Sequence, residues 1–260
     1  SFIFGSVIVF RSFAATDTAN IWVDICGGSC LRSDNHLHYI DQDACGSINA
    51  ALQIANRGDL VIVRGGTYGP QRITATPIGS TGNVKFSEAT GEQVIIGDGS
   101  SHECQSRSTN NYQLCIEGGS YFELDGFTLG QSEEYGVEIA NTNAGTVGSK
   151  YVTLRNFTGE TFRIVGQVSD ISIIGSDFGN STESSKPQIK KYNPGDPLTS
   201  RPNNILIESN SLHDSVCSDG QNCSTVDHTE CLQLIHTQNV TIRGNKFWHC
   251  EGTGSIGVTD

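Results

Sequence analysis

The sequence predicts an all-β fold, a parallel β-helix solenoid with a short capping helix at its N-terminal end. Three observations predict it. A V/I-x-I/L phrase recurs in Phe122-Glu123-Leu124, Val152-Thr153-Leu154, Ile171-Ser172-Ile173, Ile205-Leu206-Ile207 and Val240-Thr241-Ile242. Each copy is followed, three or five residues on, by a large apolar residue: Phe127, Phe157, Phe178, Leu212 and Phe247. No helical period appears after residue 60. Strands this short cannot bury a face alone. Coils stacked about 4.8 Å apart pair their backbones and align apolar residues inside. Glu123, Thr153, Ser172 and Thr241 alternate with those residues and face outward.

The elements follow in order. Residues 1–20 stand apart from a single solenoid domain, 21–260. Phe2–Phe10 is apolar and resembles the end of a signal peptide; retained, it is a buried strand or one lent to a neighbouring molecule. Ile21–Asp24 reads as a first strand, and Cys26–Asp41 as a polar loop. Cys45–Ala55 carries Ile48, Ala51, Leu52 and Ala55 on one helical face. Arg57-Gly58-Asp59 stops this helix, Leu60–Val63 is a buried strand, and Gly65–Tyr68 reads as a turn. Short strands at Leu114–Ile116, Val137–Ile139, Phe162–Ile164 and Leu232–Ile235 precede the repeated phrases. The phrases are spaced by 30, 19, 34 and 35 residues, so all but the shortest interval carry loops. Asn210 and Asn245 occupy matching places and read as turn positions with left-handed backbone. Gly252–Asp260 ends in a strand-like run with no cap, an open edge that suits homo-oligomerisation.

Bulk properties narrow the function classes. The 260 residues carry a net charge of −12, which opposes nucleic-acid phosphates. No stretch reaches the roughly 20 apolar residues of a membrane span. Nine cysteines without a C-x-x-C pair suit an oxidising, extracellular location. Cys104 with Cys115, Cys217 with Cys223, and Cys231 with Cys250 are the local pairs on offer. One of Cys26, Cys30 and Cys45 is then left over. Sequons at Asn156, Asn180, Asn222 and Asn239 also fit secretion.

Across roughly residues 20–250 the chain resembles right-handed parallel β-helix proteins of the pectate-lyase-like superfamily. GDLVIVRGGTY (58–68) and NVTIRGNKF (239–247) carry the resemblance. DHTECLQL (227–234) is similar to an H-x-E-x-x-Q element of secreted bacterial β-helix proteins. Val226-Asp227-His228 is similar to a V/I-D-H element of pectate lyases. The paired-Asp pattern of polygalacturonase-like hydrolases is not visible. The resemblance implies a site on one outward strand face, walled by loops. The longest insertions, Gly179–Pro202 and His213–Thr229, are expected to wall the same groove.

A lyase needs a base and a positive partner beside the acidic carbon. His228, His213, Lys190, Lys191 and Arg201 are the candidate catalytic residues. Gln233, Trp248 and Arg243 are candidate substrate contacts. Calcium is a candidate cofactor, held by oxygens of Asp214, Asp227 or Glu230; Asp219 reads more simply as a turn. A hydrolase instead needs paired carboxylates, and Asp227 or Asp214 with Glu230 are available. Strand parity sets Glu230 against Gln233, so both face one groove only if a corner separates them. Two functions are compatible with these residues. One is a secreted polysaccharide lyase acting on a uronate glycan. The other is a non-catalytic structural or adhesive subunit of an extracellular assembly.

Overall fold

The computed structural model describes residues 17–97, 112–130, 135–141, 148–180, 186–191, 200–215, 230–251 and 255–259. The Phe2–Phe10 segment, Cys104, Cys217, Asp219, Asn222, Cys223, Asp227 and His228 lie outside them. β1 (Ile21–Val23) and α1 (Ile48–Ile54) open the chain. Successive coils then contribute β2 (Leu60–Val63), β3 (Gly66–Tyr68) and β4 (Gln71–Ile73); β5 (Val84–Glu88), β6 (Val94–Ile96) and β7 (Tyr112–Glu117); β8 (Ser120–Asp125), β9 (Thr128–Leu129) and β10 (Tyr135–Ala140). They continue with β11 (Lys150–Arg155), β12 (Thr158–Gly159) and β13 (Phe162–Val165); β14 (Ser169–Ile174), β15 (Asp177–Phe178) and β16 (Gln188–Lys190). The last are β17 (Asn203–Glu208), β18 (Ser211–Ser215) and β19 (Leu232–Ile235); β20 (Gln238–Arg243), β21 (Lys246–Cys250) and β22 (Ile256–Thr259).

Every third strand falls in the same sheet. The first sheet runs β1-β2-β5-β8-β11-β14-β17-β20, the second β3 through β21, and the third β4 through β22. All three are parallel, as a parallel β-helix requires. The five sequence phrases lie in the first sheet in register: Phe122, Val152, Ile171, Ile205 and Val240 are consecutive partners. Ile73, Ile116, Ile139, Ile164, Ile189 and Leu234 form the matching ladder of the third sheet. These side chains merge into one buried core.

α1 begins at Ser47, whose side chain accepts from the Ala50 N–H at 3.1 Å. Its buried face is Ile48, Ala51 and Leu52, as the helical period predicts. Among the described residues no helix is long and apolar enough to cross a membrane. Cys30 pairs with Cys45 and Cys231 with Cys250, Cys115 is also disulfide-bonded, and Cys26 is free and exposed. These bonds fit an extracellular protein.

Three expectations need correction. Gly66–Tyr68 is a strand paired with β6, not part of a turn. The five large residues after the phrases form two ladders. Phe178, Leu212 and Phe247 stack in register with Gly159. Phe127 and Phe157 sit two residues earlier and pack ring on ring at 5.9 Å. The spacings of three and five residues are the trace of that shift.

Asn210 and Asn245 continue the Phe127–Phe157 row and are not the left-handed residues. That conformation falls one residue earlier, at Ser209 and Gly244, with φ of 58° and 66°. The asparagines point inward and serve backbone groups. The Ser176 N–H donates to Asn210 Oδ1 at 2.8 Å, and the Asn210 N–H to Asn245 Oδ1 at 2.8 Å. Finally, β16 divides Gly179–Pro202. Its first half joins the second sheet to the third, and its second half joins the third sheet to the first.

Candidate functional site

A polar cluster that includes several sequence candidates lies on the last coils of the second sheet. Leu212 and Phe247 point into the core, so the next residues, His213 and Trp248, point out. Asp214 and His249 follow them and share a left-handed backbone, each with φ of 50°. They lie within β18 and β21, between the paired His213 and Trp248 and the paired Ser215 and Cys250. Asp177 stands at the start of β15, in the coil before.

One carboxylate ties the cluster together. Asp214 Oδ2 lies 2.6 Å from His213 Nδ1, and Asp214 Oδ1 lies 2.7 Å from His249 Nδ1. His213 Nε2 lies 2.9 Å from Asp177 Oδ1. The His213 ring stacks on Trp248 at 4.2 Å, with 6° between planes. Its other side is open only because residue 179 is glycine: a Cβ there would lie 2.2 Å from His213 Cε1. His213 is thereby clamped, with 16% of its side chain exposed, whereas His249 is 75% exposed.

The hydrogen-bond inventory assigns different work to the two rings. His213 faces a carboxylate at each nitrogen, and donates to both only as an imidazolium. His249 donates from Nδ1 to Asp214, which leaves the Nε2 of the neutral ring as a lone pair directed away from Asp214. The bonds from His213 and then His249 hold the Asp214 carboxyl below the usual carboxylate range. An anchored, exposed imidazole beside the partly exposed indole of Trp248 can move a proton at a ring-shaped substrate. Lys246 is exposed two residues from Trp248 on the same strand face, which places a cation roughly 7 Å along the sheet.

The remaining candidates are dispersed. Lys190 and Gln233 belong to the third sheet, and Lys191 directly follows β16. Gln233 accepts from Gln188 Nε2 at 3.0 Å and is 7% exposed; Lys191 is 6% exposed. These side chains do not form a solvent-facing loop wall. The outward face of this sheet is itself buried. Glu138 and Arg163 occupy the same row as Gln233, and the Tyr112 hydroxyl donates to Glu138. Glu230 is buried at 2% exposure, and Arg201 is half-buried before β17. Arg243 lies on the first sheet, bidentate with Glu208 at 2.7 and 3.0 Å. Of the sequence candidates, the structure therefore brings His213, Asp214 and Trp248 together.

Of the candidate calcium ligands, only Asp214 and Glu230 lie among the described residues. Both Asp214 oxygens are engaged by imidazoles and Glu230 is inside the protein. Among the described residues no three His, Cys, Asp or Glu side chains converge on a metal-sized position.

Sequence reasoning missed Asp177 and His249. A signal for His249 was available. Aligning Asn210-Ser211-Leu212-His213-Asp214 with Asn245-Lys246-Phe247-Trp248-His249 sets Asp214 against His249. Asp177 left no such trace, since it reaches His213 across the coil boundary. No protein-family model matches the chain, and no curated protein matches it.

Proposed function

We propose that this chain is a secreted, right-handed parallel β-helix of the pectate-lyase-like kind, capped by α1, that acts on an extracellular uronate glycan by β-elimination. The observation that carries the reading is the Asp214 carboxylate shared by His213 and His249 beside Trp248. His249 Nε2 takes the proton from the carbon next to the uronate carboxylate. The enolate electrons form the carbon–carbon double bond as the neighbouring glycosidic C–O bond breaks, and the departing oxygen takes a proton from the His249 imidazolium or from water. Lys246 supplies positive charge toward the enolate. Trp248 gives a sugar ring an apolar surface. No step is routed through calcium.

The test is absorbance from unsaturated product ends on a panel of uronate glycans, with calcium and with chelator. The parent chain produces signal on at least one glycan. His249→Asn, which keeps a residue tolerant of left-handed backbone, abolishes it. A flat trace across the panel, or an active His249→Asn, overturns the proposal. A structural or adhesive role is the second reading. An aromatic pair at the surface favours it: Tyr121 and Tyr151 stack at 4.8 Å, and Tyr151 is exposed. That reading predicts assembly of the chain, unaffected by His249→Asn, as measured by particle mass.

A further inference from the structure

A cleft of about 210 Å³ opens at the N-terminal end, among the residues around β1 and far along the chain from the His213 cluster. We propose that it binds a small amphipathic cation, an aromatic or aliphatic body carrying one ammonium group. Trp22 is buried at its base. Leu31, Leu37 and Ile40 line it and are 55%, 45% and 47% exposed, an apolar grouping that water covers poorly.

The walls are preformed. The Cys30–Cys45 disulfide closes the loop that carries them. Ala19 and Leu37 exchange backbone hydrogen bonds at 3.0 and 2.8 Å, and the Leu31 N–H donates to Asp43 O at 2.9 Å. Trp22 Nε1 donates to Leu37 O at 2.9 Å, so the indole is fixed as a flat apolar surface. A cavity of about 150 Å³ accepts benzene, so this volume takes one ring with a short tail.

Charge selects the tail. Arg32 also lines the cleft, but Asp59 holds it through two bonds and Asp34 through a third. Its charge is thus more than balanced. Asp43 is a half-buried residue of the lining, and its carboxylate has no hydrogen-bond partner among the described residues. His38 Nδ1 contacts Asp17 O at 3.1 Å and must donate there, which leaves a neutral ring to offer Nε2 as an acceptor. An apolar slot with acceptors and a net negative rim recognises an ammonium on an apolar body, and repels a carboxylate on the same body.

Calorimetry on the full chain tests this with phenethylamine, phenethyl alcohol and phenylacetate. Phenethylamine saturates the protein in the range of about 0.1–5 mM, as its few heavy atoms allow, and at least about ten-fold more tightly than phenylacetate. Asp43→Asn weakens phenethylamine about ten-fold and leaves phenethyl alcohol unchanged. Equal binding of all three, or no saturation by about 20 mM phenethylamine, overturns the proposal. So does saturation seen only after residues 1–16 are removed, which assigns the cleft to that segment.

Discussion

Replacing Asn210 by Ala should destabilise the protein by about 2–4 kcal/mol, although the residue touches no ligand. The side chain is 1% exposed and makes three bonds. It accepts from the Ser176 N–H at 2.8 Å and donates from Nδ2 to Ile173 O at 2.9 Å and to Asn245 Oδ1 at 3.0 Å. Alanine leaves the buried Ser176 N–H without an acceptor, which costs about 1–3 kcal/mol. The lost amide also leaves a small void worth about 1 kcal/mol. In urea unfolding with a slope near 3 kcal/mol per molar, the midpoint falls by about 1 M. Asn210→Ser is the informative control. Ser176, in the same ladder, accepts the Phe157 N–H at 3.1 Å through its hydroxyl. Serine at 210 can serve the Ser176 N–H in the same way and should recover about half of the loss. The ladder argument fails if Asn210→Ala lies within about 0.5 kcal/mol of the parent, or if serine is no better than alanine.

Three further outcomes are expected. Removing the Cys231–Cys250 bond with a double alanine variant frees a 19-residue separation and costs about 3 kcal/mol by loop entropy, read as a lower thermal midpoint under non-reducing conditions. Asp214 is depressed by its two imidazole contacts, so its contribution is present above the ordinary carboxylate value and is lost as pH falls through the depressed one. The unfolding midpoints of the parent and Asp214→Asn should therefore converge as the pH drops below about 4, and a constant gap would rule this out. Gly179→Ala drives a methyl group into His213, whose Cε1 would lie 2.2 Å away. That should unstack Trp248, change its fluorescence in a Trp22→Phe background and lower turnover, while a variant with unchanged emission would refute the clamp.

The repeat was readable because a solenoid imposes the same environment on every coil. Each inward position of the first sheet needs an apolar residue, so Phe122, Val152, Ile171, Ile205 and Val240 had to resemble one another. The helix at 48–54 was readable for a related reason, since one buried face repeats at the helical period. Asn210 and Asn245 were found but misread. Their spacing in the sequence is compatible with a turn, and only the packed coil shows that the left-handed residue is one earlier.

The candidate site divided along the same line. His213, Asp214 and Trp248 were singled out because polar residues crowd after an apolar ladder position. Gln233 and Lys190 were singled out on similar grounds, yet they lie on a sheet whose outward face is buried. Strand parity states which way a side chain leaves the sheet and not whether water waits there.

By itself the sequence determined the all-β repeat, two of the three strands of most coils and the inward residues, and it offered Cys231 with Cys250 as a pair. Each is fixed by neighbours in the chain or by the same position one coil away. Tertiary structure alone decided that β16 interrupts the long insertion and that His249, not Lys190 or Arg201, stands with Asp214. Those outcomes depend on the register between coils, which sets residues about 35 apart in sequence within a hydrogen bond of each other.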